Sequence, residues 1–168
     1  MQIDILIDDP RWQEPGLEHL AQRAADAVGD HLGLPADTEL SILACDDARI
    51  AVLNTEFRGK AAPTNVLSWP ETDLSAEEEG GTPHFSNAGA ERPDEAFIGD
   101  IAIAYDTCAR EAAEQRISMA DHTTHLVVHG ILHLLGYDHE RDRDATLMEG
   151  LETVILGKLG VADPYRDN

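Results

Sequence analysis

Basic residues are scarce in this chain: 12 Lys and Arg stand against 33 Asp and Glu, a formal charge of −21 over 168 residues. A field of that sign repels phosphate backbones and anionic lipid alike, which argues against nonspecific adhesion to DNA, RNA or a membrane surface. Any contact with RNA must therefore be local. Cysteine is nearly missing as well. Cys45 and Cys108 form no CxxC pair, so neither a disulfide framework nor a cysteine zinc site is indicated. The longest apolar run is broken by histidines and is too short to span a bilayer. The acidic N-terminus has no basic n-region followed by a cleavable apolar segment. A cytoplasmic protein without a membrane partner is the expectation.

What is present fits one globular domain spanning 1–168, with 42% hydrophobic residues and enough length to bury a core. The acids are unevenly spread. Between Glu71 and Ala96 eight acidic residues are met by Arg92 alone. With its glycines and prolines, segment 71–96 is predicted to be a mobile acidic insertion.

Hydrophobic periodicity supplies the elements. Ile3, Ile5 and Ile7 alternate as a first strand, and Glu39 to Cys45 reads as a second. Between them Pro15 to Leu32 has helical spacing and is closed by Gly33. Asp46 or Asp47 caps a helix that is expected to bury Ile50, Leu53 and Phe57. Thr64 to Trp69 forms a short strand, and Phe97 to Tyr105 the strongest one. Asp106 is placed as the cap of a helix to about Gln115. The histidine-bearing helix spans about Ser118 to Leu135. A last helix near Asp144 to Leu159 presents Leu147, Leu151, Val154, Ile155 and Leu159. The class is α/β (α+β): a small mixed four-stranded sheet covered by about five helices.

Five of the chain's 8 histidines lie between Asp121 and Glu140. Residues four apart share a helical face, so His129 and His133 can hold one ion together. His125 and His133 are separated by roughly 12 Å along the axis and cannot. A chain reversing at Gly136 brings His139 back beside His129 and His133. Three neutral nitrogens with an open position suit a catalytic zinc, one per chain, better than a closed structural site. Metzincin peptidases use the same skeleton, H-x-x-x-H-x-x-G-x-x-H, with a glutamate base directly after the first histidine. Here that position is Gly130, which argues for a hydrolase of another kind or for a base supplied from elsewhere in the chain.

The run His129-Gly-Ile-Leu-His133-Leu-Leu-Gly136-Tyr137-Asp138-His139 resembles the signature of the YbeY family of bacterial endoribonucleases. Phe57-Arg58-Gly59-Lys60, Pro63 to Pro70, Gly99-Asp100-Ile101 and the ending around Leu159-Gly160 and Asp163-Pro164-Tyr165 are similar too. The resemblance implies zinc held by His129, His133 and His139, with Arg58 as the catalytic arginine of the cleft. It also implies cleavage of single-stranded RNA in maturing the 3′ end of small-subunit (16S) rRNA. The implied partners are the small ribosomal subunit and its assembly factors. His125 is the nearest candidate general base on the same face or a support for the ligands from behind, Asp100 either such a support or the cap of a neighbouring loop, and His122 is expected to face solvent. Two other classes stand beside this one, a zinc metallopeptidase-like hydrolase and a non-catalytic ribosome-assembly factor with structural zinc.

Overall fold

The computed structural model describes residues 1–83 and 96–165. Four strands form one mixed sheet: β1 (Gln2–Ile7), β2 (Glu39–Cys45), β3 (Val66–Pro70) and β4 (Phe97–Ala104). Their spatial order is β1-β2-β4-β3; β1, β2 and β4 run parallel, and β3 pairs antiparallel to β4 at the edge. Among the described residues five α-helices and one 3-10 turn (Pro10–Gln13) accompany them: α1 (Leu17–Leu32), α2 (Asp47–Arg58), α3 (Tyr105–Gln115), α4 (Met119–Leu134) and α5 (Asp142–Lys158).

Alternation along the strands divides the sheet into two faces. Leu40 and Ile42 of β2 and Ile101 and Ile103 of β4 meet α1, α4 and α5 in the main core. Leu43, Cys45, Leu67, Ala102 and Ala104 turn the other way and pack on Ile50 and Leu53 of α2. The first face holds α4 firmly. Leu126, Val127, Val128, Ile131, Leu132, Leu134 and Leu135 are all buried there, each worth about 1.5–3 kcal/mol. A helix anchored this strongly can carry histidines on its remaining face without losing its position.

Three local expectations are corrected. Phe57 is 62% exposed rather than buried, because the last turn of α2 runs beyond the small core cluster around Ile50 and Leu53. Val154 is 49% exposed; the rest of the expected α5 stripe holds, with Ile155 buried and Leu147, Leu151 and Leu159 packed against the core, beside the buried Asp144, Met148, Glu152 and Leu156. Asp106 is not the cap of α3, whose N-cap is Ala104. Its carboxylate instead accepts from the Asp47 N–H at 3.1 Å and from Arg11 at 2.8 Å.

The first half of the acidic stretch rests on α5. The Gly80 N–H donates to Asp144 at 2.8 Å, and Arg141 donates to the Ala76 and Glu77 carbonyls at 3.1 and 3.2 Å. Residues 84–95, the remainder of the predicted insertion up to Ala96, lie outside the described residues.

Candidate metal centre

Ser118 caps α4 by accepting the Asp121 N–H at 3.0 Å. His129 and His133 then fall on successive turns, with their ring centroids 4.6 Å apart. Gly136 ends the helix with φ of +104°, and a Cβ there would lie 2.6 Å from the Leu74 carbonyl carbon. Only glycine fits this turn. Asp138 accepts the His139 N–H at 2.7 Å and fixes the returning chain. The His139 ring thereby comes to 5.0 Å from His133 and 5.5 Å from His129, centroid to centroid.

The donor atoms of the three rings all lie within 4.8 Å of one another. The Nε2 atoms of His129 and His133 are 3.1 Å apart. Two nitrogens bound tetrahedrally at 2.0–2.1 Å would be separated by roughly 3.3 Å, so the spacing fits zinc. Protonation also fits. Burial, reinforced by His129 and His139 and opposed by Asp138 and the Tyr137 backbone, lowers the His133 pKa to about 4. That keeps its lone pair available at neutral pH.

The side chain that orients His129 comes from α5. Glu152 is completely buried, and its Oε1 accepts the His129 Nδ1–H at 2.5 Å. That bond leaves Nε2 as the bare donor. A buried lone carboxylate would cost several kcal/mol, but this one has further partners. His125 Nε2 lies 3.6 Å from Oε1, and the Tyr165 hydroxyl donates to Oε2. Burial acts to raise the Glu152 pKa, but the contacts with His125 and His129 outweigh it and hold it at about 2. His125, His129 and Glu152 form a second group with metal-ligating atoms in range. With the His129 Nδ1–H donated to the carboxylate, however, it supports the three-histidine centre rather than competing with it.

All three candidate ligands face a cleft of about 620 Å³, whose wall includes Arg58 at the end of α2. The profile of the family described as Endoribonuclease YbeY matches residues 2–160. The chain belongs to the YbeY family. Two relatives named Endoribonuclease YbeY, from Jannaschia sp. (strain CCS1) and Ruegeria pomeroyi, are each 58% identical and each align with 98% of this chain. Those alignments cover 100% and 98% of the two relatives. The solution structure of a Thermotoga maritima protein matches 99% of this chain and 100% of its own at a TM-score of 0.56. At 21% identity that likeness shows a shared fold.

Against this YbeY-family frame the other expected site residues separate. His125 sits behind the centre, against Glu152 and with its ring 5.7 Å from that of Tyr165. Asp100 does not join it. Strand alternation turns Asp100 to the sheet face of Ala102 and Trp69, away from α4, where it accepts from Ser41. His122 is buried, not solvent-facing: its Nε2 pairs with Glu111 of α3 at 3.0 Å, and Glu111 also accepts from Asn65 at 3.0 Å. Gly130, in the peptidase glutamate's place, lies close on the sheet; a Cβ there would meet Ile101 Cδ1 at 3.1 Å and Ser68 Oγ at 3.2 Å.

Glu152 is not among the residues the sequence points to, and Tyr165 enters there only through the resemblance of the C-terminal ending. One signal was available: an acid occupying the middle of the stripe Met148, Ile155 and Leu156, which a solvent-facing residue would not do. Glu152→Gln is expected to weaken metal affinity about 10- to 100-fold, measured by competition with a chromogenic chelator. Unchanged affinity would reduce Glu152 to a packing role.

Proposed function

We propose that this chain is a zinc-dependent endoribonuclease that cuts single-stranded RNA in the maturation of the 3′ end of 16S rRNA. The observation that carries the reading is three imidazole donors converging inside a cleft that Arg58 also lines. Family membership supports the reaction class.

In this reading His129, His133 and His139 hold one zinc, and Glu152 fixes the tautomer and ring direction of His129. When bound, zinc lowers the pKa of water and polarises a phosphate oxygen. Arg58, always charged, forks onto two oxygens of the scissile phosphate and counters the charge that develops there. His125 is turned to Glu152 and Tyr165 and is absent from the cleft lining, so it acts through Glu152 rather than on substrate. Residues 1–168 work as one domain in the cytoplasm, on the small ribosomal subunit and with its assembly factors, and engage neither DNA nor membrane. Among the described residues no helix is long and apolar enough to cross a membrane.

The test is cleavage of single-stranded RNA, duplex RNA and casein by the purified protein, with chelator and after zinc is restored. Single-stranded RNA alone should be cut, chelator should abolish the reaction, and zinc should return it. Casein hydrolysis would replace this reading with a peptidase. Finding a 2′,3′-cyclic phosphate at the cut would assign the attack to the RNA's own hydroxyl.

A further inference from the structure

We propose that Phe57 and Trp69 form a stacking subsite for one unpaired nucleobase, from which the RNA strand crosses the β3 edge to the three histidines. The proposal rests on the endoribonuclease reading and names the side chains that would recognise the substrate.

Phe57 is 62% exposed, although Ile50 and Leu53 of the same helix are in the core cluster. A lone exposed phenylalanine would need no explanation. This one meets Trp69 edge to face, with centroids 5.4 Å apart and planes at 67°, and both rings line the cleft that holds His129, His133 and His139. Arg58 follows Phe57 directly. The strand geometry places the pair. Ser68 points to α4, where its hydroxyl donates to the Gly130 carbonyl at 3.2 Å. Trp69, the next residue, belongs to the opposite face with Leu67 and α2. The cleft therefore wraps the edge strand β3, with aromatic rings on one side of the sheet and imidazoles on the other.

Charge supports the same assignment. Arg58 is the only Lys or Arg among the described residues lining the cleft, while Asp73, Asp138 and Glu140 line it as well. Phosphate neutralisation, the usual source of affinity for RNA, thus has a single basic side chain beside the metal among the described lining residues. Stacking on an aromatic face remains, and it tolerates any base because each has a π surface. A base paired in a duplex cannot enter such a subsite, so these two rings would contribute directly to a preference for single strands.

The protein reports on itself, because it has 2 tryptophans and Trp12 is fully buried. Emission changes on adding a single-stranded 2′-O-methyl oligonucleotide to the zinc-loaded protein therefore come from Trp69. The result expected is quenching on binding, with one abasic position in the oligonucleotide weakening binding on the order of tenfold. Phe57→Ala should show a similar loss and no longer distinguish abasic from intact strands, at unchanged zinc content and Tm. Phe57→Tyr should retain the discrimination. Binding without an emission change, or full abasic discrimination in Phe57→Ala, overturns the subsite. If Phe57→Ala cleaves intact and abasic RNA as the wild type does, the subsite falls while the endoribonuclease reading stands. If the wild type neither binds nor cuts any RNA, both fall.

Discussion

Replacing His129 with alanine is expected to remove the bound metal and to lower RNA cleavage on the order of a thousandfold, about 4 kcal/mol of barrier. His129 is the most connected of the three rings. Its Nε2 lies 3.1 Å from that of His133, and its Nδ1 donates to the buried Glu152 carboxylate at 2.5 Å. The substitution therefore removes a donor and also strips a principal partner from a buried charge, which costs about 3–5 kcal/mol of stability when the charge stays ionised. His133→Ala separates the two effects, since Glu152 keeps its pairing with His129 in that variant. Both should lose zinc, measured as metal per chain beside cleavage of a single-stranded RNA, but only His129→Ala should show the large fall in Tm. Full metal content in His129→Ala would refute the three-histidine centre.

The second large effect belongs to Arg58→Ala. Arg58 is the exposed last residue of α2, capped by Gly59, and it belongs to neither core cluster. Removing it should leave Tm and zinc content as they were. Cleavage should fall about 10²- to 10³-fold, as when one preorganised donor to a developing charge is lost. Arg58→Lys should recover part of the rate, because lysine restores the charge but not the fork. A normal rate in Arg58→Ala would take the arginine out of the chemistry, and a parallel loss of zinc would mean it supports the fold instead.

Much of this molecule could be inferred from local pattern, and the failures share one cause. The three candidate ligands were legible because helical spacing and a glycine turn are local signals: four residues link His129 to His133, and Gly136 reverses the chain to His139. The strands were legible from alternation in Ile3, Ile5 and Ile7 and from the apolar run at Phe97 to Tyr105. Local signals could not show which helix would pack behind α4. Glu152 is 23 residues from His129 in the chain, and its burial depends on the phase at which α5 docks. The inward face of α5 was legible in Leu147, Leu151, Ile155 and Leu159, but not that Val154 lies outside it and Glu152 inside. His122 was misplaced for a similar reason, since its partner Glu111 lies on α3. Asp100 could be placed on a strand but not on a side of it. That required knowing that β4 sits in the sheet interior between β2 and β3.

In the peptidases that share this ligand skeleton the residue after the first histidine is a glutamate, and a side chain at this position, Gly130, would not enter open space here. The first carbon of a side chain would meet Ile101 Cδ1 at 3.1 Å and Ser68 Oγ at 3.2 Å, so these two side chains would have to give by a few tenths of an ångström before a longer one was accommodated. The cost of placing a base here is therefore set by how far Ile101 and Ser68 can yield, and not by the chemistry of the base alone.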